Sequence, residues 1–410
     1  MTAGALDGIK VLDLSRLLPG PFCSLLLADC GADVLKVEDT GMGDYVRWAP
    51  PHYPGVEHSA GGALFLSLNR NKRSIRVDLK SEGGKQVLLD LVKDADVLLE
   101  SFRPGVLDRL GVGYEILKEI NPGLVYCAIS GYGQDGPQRE AAGHDMNYLA
   151  QAGLLGLTGD ADTAPIQAAG QIADIGGGAL MAAFSILAAL RARDASGQGQ
   201  FVDVSMFDGA LSWLAMPAAK TLLEGASPKR GGVELAGSLI CYRPYACSDG
   251  HVALGALEAK FWKAFCEGID RPDLVEQQFQ PVGSDVHKEV VEIFKSRTRD
   301  EWEAFAAIHD CCLTAVLGLD EALESELVKA RKMVAPLTQP GAETPVRLLG
   351  APVKFSGTPT DTDRLPGPGL GEHTDQVLAE LGYGAAKIAA LNEAGAVAGP
   401  PDGATGSFLG

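Results

Sequence analysis

The chain has 410 residues, of which 46% are hydrophobic and 21% are charged. A chain of this size and composition can bury a large core and is expected to form two domains. Its formal net charge of -18 argues against nucleic-acid and anionic-membrane partners, although a local basic pocket could still bind a phosphorylated ligand. The first residues do not place an apolar segment after a basic one, and no run of about 18 apolar residues occurs. We therefore expect a cytoplasmic protein with no nucleic-acid or membrane partner.

Strand-like and helical patterns alternate through the first two hundred residues. The predicted order is a strand at 9–14, a helix at 21–30, strands at 34–37 and 74–78, a helix at 84–93, a strand at 97–100, a short helix at 104–110, a strand at 124–129, a long apolar helix at 175–193 and a strand at 201–204. This alternation predicts an α/β fold with a parallel sheet and helices on both of its faces.

The pattern changes after Asp208. The predicted elements are then a helix at 209–224, a hairpin at 242–254, short amphipathic helices at 260–333, strand and turn from 346, and a closing helix at 374–381. We therefore predict a large domain that begins with 1–215, a smaller α+β domain at 216–335, a return segment at 336–395 that completes the large domain, and a flexible tail at 396–410.

The loop after the first predicted strand lacks the signature of dinucleotide binding. It reads Ser15-Arg16-Leu17-Leu18-Pro19-Gly20 rather than GxGxxG, which removes the main support for hydride transfer. The sequence also contains no Walker phosphate loop and no GxSxG elbow, so nucleotide hydrolysis and serine hydrolysis are disfavoured. Its eight cysteines show no metal-ligand spacing, and we expect no metal.

Basic residues cluster at two predicted strand ends, where α/β folds bind ligands. The first basic run is Asn69-Arg70-Asn71-Lys72-Arg73-Ser74, and the second is Ser101-Phe102-Arg103-Pro104-Gly105. Each run is either solvated loop charge or a site for a phosphorylated nucleotide, such as the ADP part of coenzyme A, with arginines on the phosphate oxygens.

Three residues are candidates for acid/base chemistry. Asp174 is most simply an N-cap of the long apolar helix, but Gly176-Gly177-Gly178 after it would leave backbone amides bare for a thioester oxyanion. His144 lies in a loop, where a histidine with only a hydrogen-bonding role is the common alternative. Glu258 either caps the next helix or lies partly buried beside a histidine. A histidine and a carboxylate that face one carbon can remove and return a proton without a cofactor.

Five segments together have a familiar form: Gly31 to Glu38 (GADVLKVE), Arg103 to Val106 (RPGV), Gly131 to Pro137 (GYGQDGP), Gly197 to Gln200 (GQGQ) and Gly371 to Thr374 (GEHT). Over nearly its whole length the chain resembles the family III coenzyme A transferases, the CaiB/BaiF superfamily. The runs GHDMNY at 143–148 and GALEAKFW at 255–262 resemble its α-methylacyl-CoA racemase branch in particular.

This resemblance implies a Rossmann-like large domain made from both chain ends, a small domain between them, and two subunits interlocked as a homodimer. It implies an acyl-CoA substrate and no cofactor beyond the coenzyme A of that substrate. A basic group is expected near Lys36 and Asp39, where the aspartate departs from the pattern. The positions that match coenzyme A contacts are Val77, Asp78, Leu79, Lys80, Ser101, Phe102, Arg103, Arg109, Gly143, Met146, Asn147 and Tyr148.

The resemblance leaves two reactions open. In the racemases the aspartate that matches Asp174 exchanges the α-proton, here with His144 as its partner and with Glu258 and Asp145 orienting the histidine. In the transferases the same aspartate is a nucleophile that forms an acyl anhydride and then a CoA thioester, so that CoA moves between carboxylic acids. The pattern around His144 and Glu258 favours a racemase of 2-methylacyl-CoA thioesters. The long stretch at 41–68, and Leu235-Ala236-Gly237-Ser238 in place of paired glycines, favour the transferase.

Overall fold

The computed structural model describes residues 4–401, 403 and 406–408. The strands are β1 (Lys10–Asp13), β2 (Asp33–Glu38), β3 (Lys72–Val77), β4 (Val97–Glu100), β5 (Val125–Ser130), β6 (Phe201–Ser205), β7 (Tyr242–Ala246), β8 (His251–Gly255), β9 (Leu313–Ala315), β10 (Val334–Leu337), β11 (Val346–Leu349) and β12 (Val397–Ala398).

The α-helices are α1 (Pro19–Asp29), α2 (Ala63–Asn69), α3 (Glu82–Val92), α4 (Val106–Arg109), α5 (Tyr114–Ile120), α6 (Asp145–Gln151), α7 (Leu154–Leu157), α8 (Leu180–Ser196), α9 (Met206–Ser212), α10 (Ala215–Glu224), α11 (Ala259–Gly268), α12 (Asp285–Lys295), α13 (Arg299–Ile308), α14 (Leu319–Glu324), α15 (Glu326–Ala330), α16 (Thr374–Glu380) and α17 (Ala385–Glu393). A π-helical segment, Ile172–Ala179, runs directly into α8, and 3-10 turns lie at Tyr45–Trp48, Glu234–Ala236 and Pro272–Gln277.

The chain forms two compact units. The large unit contains the residues up to Leu149, Gly170–Ser212 and the residues from Glu326 onward, and the small unit contains Ala150–Ala169 and Trp213–Ser325. The segment Ala150–Ala169, which the sequence pattern gave no reason to separate from the first two hundred residues, thus belongs to the small unit.

The large unit is built on a seven-stranded sheet in the order β12-β3-β2-β1-β4-β5-β6 among the residues described. Strands β1 to β6 run parallel, and β12 pairs antiparallel with β3. The order 3-2-1-4-5-6 is that of the doubly wound Rossmann fold. The predicted α/β class with a large parallel sheet is confirmed.

Strands β1 and β4 are neighbours in the middle of this sheet, although the chain builds β2 and β3 on one side of them and β5 and β6 on the other. The loops that leave β1 and β4 therefore diverge at the carboxyl edge. In open α/β sheets, ligands bind in the crevice at such a switch point.

Two expectations about local structure were wrong. The predicted single helix at 209–224 is divided into α9 and α10. The predicted flexible tail at 396–410 begins with β12, because the Asp78 amide donates to the Ala396 carbonyl at 2.9 Å and the next two residues join the sheet. Other parts of that prediction, at 402, 404–405 and 409–410, lie outside the described residues.

Among the residues described, one segment, Ile172–Ser196, is long and apolar enough to cross a membrane, and half of its most apolar window is buried. This segment contacts α1, β5 and β6, which is the environment of a core helix in the large unit.

The small unit has its own core. Strands β7, β8 and β9 form an antiparallel sheet, which confirms the hairpin predicted at 242–254. The largest buried side chains around it are aromatic: Trp262, Phe265, Phe294 and Trp302.

Candidate active site

A cleft of about 510 Å³ opens in the large unit. Its walls come from the loops that follow parallel strands of the central sheet and from the start of α6, so the cleft lies at the carboxyl edge, where the topology predicts it. The residues that line it include Arg16, Leu17, Tyr45, Ser101, Phe102, Arg103, Ser130, Arg139, Gly143, His144, Asn147, Tyr148, Asp174 and Met206.

Asp174 lies inside the π-helical segment rather than at its cap. The N-cap position is Gln171, so the N-cap interpretation of Asp174 was wrong, and its carboxylate is free to face the cleft. Such π-helical turns are rare and frequent at functional sites. Asp174 is only 9% exposed. Burial, reinforced by the neighbouring Asp145 carboxylate and opposed by His144, raises the pKa of Asp174 to about 6.

The glycines after Asp174 have a packing role. A Cβ atom on Gly177 would lie 2.7 Å from the Met206 carbonyl oxygen, and one on Gly178 would lie 2.9 Å from the Met206 side chain. A Cβ atom on Gly209 would lie 2.3 Å from the Gly177 carbonyl oxygen. Helix α9 therefore covers this side of the segment, and the expectation that these glycines leave amides bare for a ligand was wrong for Gly177 and Gly178.

His144 precedes α6 and lines the same cleft as Asp174. Its backbone is fixed by Asn147, whose Oδ1 accepts the His144 amide at 3.0 Å and whose amide donates to the His144 carbonyl at 2.8 Å. Tyr148 donates from its hydroxyl to the Gly143 carbonyl at 2.6 Å, which holds the loop before the histidine. The structure thus brings His144 and Asp174 together.

The two supporting carboxylates behave differently from expectation. Asp145 is buried, and its Oδ1 accepts the amides of Ala173 at 2.7 Å and Asp174 at 3.0 Å. Its contacts therefore fix the backbone of Asp174 rather than the imidazole. Glu258 belongs to the small unit. It occupies the N-cap position of α11 without a side-chain cap hydrogen bond and is exposed, so the expectation of partial burial was wrong for the chain as described.

The positions matched to coenzyme A fall into two groups. Ser101, Phe102, Arg103, Gly143, Asn147 and Tyr148 line the cleft, whereas Val77, Asp78, Leu79, Lys80, Arg109 and Met146 are not among its lining residues in the described chain. Arg109 lies close to the cleft all the same. A Cβ atom on Gly105 would be 3.2 Å from Nη1 of Arg109 and 3.6 Å from Nη2 of Arg139, and Arg139 lines the cleft.

The first basic run is an internal structure, and both interpretations given for it were wrong. Arg70 pairs with Asp29 at 2.7 Å, and Lys72 pairs with Asp13 at 3.3 Å, with all four side chains buried. Arg73 pairs with Asp33 at 3.0 Å and with Glu380 at 2.8 Å. These cations hold chain segments together and do not line the cleft.

Lys36 is buried as well. Its ammonium pairs with Asp44 at 2.9 Å, with both side chains fully buried, so it offers no basic group to a ligand. Asp39 pairs with Arg16.

Arg16, Tyr45 and Arg139 are among the cleft residues that sequence reasoning missed. Arg16 lies in the loop after β1, and this position alone could have indicated it. Tyr45 begins a 3-10 turn and Arg139 lies in a loop, and only the fold brings these two residues to the cleft. In the part of the chain that the structure describes, no group of three or more His, Cys, Asp or Glu side chains could hold a metal ion.

The doubly wound sheet with a cleft at its carboxyl edge is the architecture of a ligand-binding α/β protein. Residues 6–374 match the model of CoA-transferase family III. The chain is 37% identical over 406 residues to an acyl-CoA transferase of Fusarium pseudograminearum (strain CS3096), covering 96% of this chain and 88% of that protein. It is 35% identical over 404 residues to the human α-methylacyl-CoA racemase, covering 95% and 96%.

A solved structure has the same fold. The crystal structure of a CaiB/BaiF family protein from Brucella suis matches with a TM-score of 0.80 and 33% sequence identity, and the match covers 93% of this chain and all of that one. The chain belongs to CoA-transferase family III and is an enzyme of that family. Its relatives include both racemases and CoA-transferases.

Proposed function

We propose that the protein is a racemase or epimerase of 2-methylacyl-CoA thioesters. The observation that carries the proposal is the presence of His144 and Asp174 in one cleft. The pKa of Asp174, raised to about 6, suits a group that must take up and release a proton near neutral pH. In this mechanism one of the two residues removes the α-proton and the other delivers a proton to the opposite face.

Asp145 and Glu258 have supporting roles in the proposal. Asp145 accepts the Asp174 amide and so positions the carboxylate that reacts. Glu258, which is exposed in the small unit, is proposed as a second carboxylate of the acid/base chemistry, a role that carboxylates have for many catalytic imidazoles. Replacing Glu258 by Gln is expected to slow exchange and leave coenzyme A binding unchanged.

The coenzyme A part of the substrate is expected at Ser101, Phe102, Arg103, Asn147 and Tyr148, with Arg109 and Arg139 near the phosphates. The support for this assignment is the group of guanidinium groups around Gly105, since arginine binds phosphate oxygens bidentately.

The test is mass spectrometry of a 2-methylacyl-CoA incubated with the protein in deuterium oxide, with a no-enzyme control. Uptake of one deuterium at the α-carbon with the thioester intact is the expected result. His144→Ala should abolish the uptake while coenzyme A binding remains. Uptake that persists in this variant would remove His144 from the mechanism.

The alternative is a CoA-transferase in which Asp174 is the nucleophile, and the similarity to the Fusarium acyl-CoA transferase supports it. This reaction requires covalent modification of Asp174 when acyl-CoA is supplied alone. Hydroxylamine or borohydride trapping followed by peptide mass spectrometry detects that adduct, which a racemase does not form.

We also propose that two chains form the interlocked homodimer implied by the family. The support is an exposed apolar face on α8, where Phe184 is 69% exposed and Leu180 and Leu187 are also exposed. Faces of this kind mark interaction sites. Light scattering should give the mass of a dimer, and Phe184→Glu should weaken it.

A further inference from the structure

The guanidinium of Arg16 lines the cleft and can bind a further hydrogen-bond acceptor. Among the described residues its guanidinium makes one ion pair, from Nη2 to Oδ2 of Asp39 at 2.5 Å, and both side chains are 39% exposed. Ion pairs this open to solvent are weak, so a carboxylate on a ligand can share Arg16 with Asp39 or replace Asp39 at little cost.

The loop that carries Arg16 is held at three successive residues. The Ser15 carbonyl accepts from Lys36 Nζ at 3.0 Å, the Arg16 amide donates to Ser101 Oγ at 3.3 Å, and the Leu17 amide donates to Asp44 Oδ1 at 3.2 Å. Leu17 has a φ of 60°, in the left-handed region that disfavours residues other than glycine. Strained backbone held by its surroundings is typical of functional loops.

Asp44 also places a second polar group in the cleft. Its side chain accepts the Val46 amide at 3.2 Å and caps the 3-10 turn that begins at Tyr45. Tyr45 lines the cleft, and its hydroxyl has no hydrogen-bond partner within the residues described. Burial raises the pKa of Tyr45, as do the charges of Asp44 and Asp174, while Arg16 opposes them. The hydroxyl is therefore a protonated donor within the electrostatic influence of both Arg16 and Asp174.

We propose that Arg16 and Tyr45 form a carboxylate-recognition site for the acyl part of the substrate, so that the preferred thioesters carry a second carboxylate at the far end of the acyl chain. The inference rests on the proposed function, since it concerns the acyl group of the same thioester. A guanidinium binds a carboxylate with two parallel hydrogen bonds, and a phenol hydroxyl can donate a third. A purely aliphatic chain would instead cover the Tyr45 hydroxyl without a partner and leave Arg16 with Asp39 alone, which is less favourable than a shared carboxylate.

The experiment compares two thioesters of similar length. These are 2-methylglutaryl-CoA, with coenzyme A on the carboxyl group beside the methyl branch, and 2-methylhexanoyl-CoA, which lacks the second carboxylate. The wild-type kcat/KM for deuterium uptake is expected to be at least about tenfold higher for 2-methylglutaryl-CoA. Equal values, or a preference for 2-methylhexanoyl-CoA, would overturn the proposal.

Variants separate recognition from folding. Arg16→Gln should lower kcat/KM about 10- to 100-fold for 2-methylglutaryl-CoA and less than about threefold for 2-methylhexanoyl-CoA, because charge-assisted hydrogen bonds are lost only with the first. Tyr45→Phe should show the same selectivity with a smaller loss. Asp39→Asn removes the ion pair and keeps the guanidinium, so it should retain the preference. Equal losses on both thioesters in Arg16→Gln, reproduced by Asp39→Asn, would mean that Arg16 is only structural.

Calorimetric titration of both thioesters distinguishes a failure of this inference from a failure of the proposed function. Absence of exchange with either thioester in the wild-type protein contradicts the racemase. The carboxylate site is then judged by affinity alone. At least about tenfold tighter binding of 2-methylglutaryl-CoA that disappears in Arg16→Gln supports the site, and equal affinities reject it.

Discussion

The two basic runs of the large unit differ in what surrounds their cations. Arg70 and Lys72 of the first run are buried and paired with aspartates of neighbouring segments, whereas Arg103 of the second run lines the cleft together with Arg16 and Arg139. Both runs lie at an end of a strand and read alike in sequence. The first run includes the amino end of β3, and the second follows β4, at the carboxyl end where ligands bind. The end of the strand therefore decides whether a cation holds the fold together or faces a substrate.

The largest effect should come from a charge that faces the cleft. Asp174→Asn keeps the shape of the side chain and removes the proton acceptor, so deuterium uptake should fall about 10³-fold while coenzyme A affinity is retained. Asp33→Asn, at an aspartate that pairs with Arg73 outside the cleft, is the matched control and should leave uptake unchanged. Retention of uptake within tenfold in Asp174→Asn would exclude an acid/base role for Asp174.

A buried pair should respond in stability instead. Lys36→Met leaves the fully buried Asp44 without its cation, and breaking a buried pair in this way costs about 3–5 kcal/mol in the free energy of unfolding. Chemical denaturation measures this loss. The double variant Lys36→Met with Asp44→Asn should recover part of it, since no unpaired charge remains. A loss below about 1 kcal/mol, as for an exposed pair, would contradict the claim that Lys36 and Asp44 form a buried pair that stabilises the fold.

The negative charge of Asp174 in the cleft should also lower the free energy of unfolding at neutral pH. Asp174 has a folded-state pKa of about 6 against an ordinary value of 3.8. The folded state therefore binds this proton more tightly, and the ionised carboxylate lowers the free energy of unfolding as pH rises from about 4 to about 6. At pH 7 Asp174→Asn should be more stable than the wild type by up to about 3 kcal/mol. Denaturation at pH 7 and at pH 3.5 checks this, because the difference should vanish at the lower pH.

The smallest expected effect is on coenzyme A affinity, and it is tested with one arginine that lines the cleft and one that does not. Arg139→Gln should weaken coenzyme A binding about tenfold, as expected for the loss of one charge-assisted contact to phosphate. Arg73→Gln, which loses its pairs with Asp33 and Glu380, should leave the affinity unchanged. Calorimetric titration with coenzyme A measures both. A loss of affinity in Arg73→Gln equal to that in Arg139→Gln would contradict the difference between arginines that face the substrate and arginines that hold the fold together.

Local pattern was sufficient for the sheet and insufficient for the cleft. The strands from β1 to β6 were predicted because strand-like and helical patterns alternate along the chain. His144 and Asp174 were identified as acid/base candidates from their residue types and their neighbours in the sequence. The structural roles of Arg70, Lys72 and Lys36 could not be predicted. Each is paired with an aspartate (Asp29, Asp13 and Asp44, respectively) that no sequence pattern identifies as its partner. Tyr45 and Arg139 were missed because only the tertiary structure brings these two residues to the cleft.

The contact between Gly177 and Gly209 limits how this enzyme can diversify. Neither position can accept even a methyl group without moving the backbone opposite it, so the frame that presents Asp174 offers little freedom to mutation. Arg16 and Tyr45 lie on loops with solvent or cleft on one side, where substitutions need not disturb that frame. Under selection for a new acyl group, and in a library built for that purpose, change should accumulate in these loops while the glycine contact remains fixed.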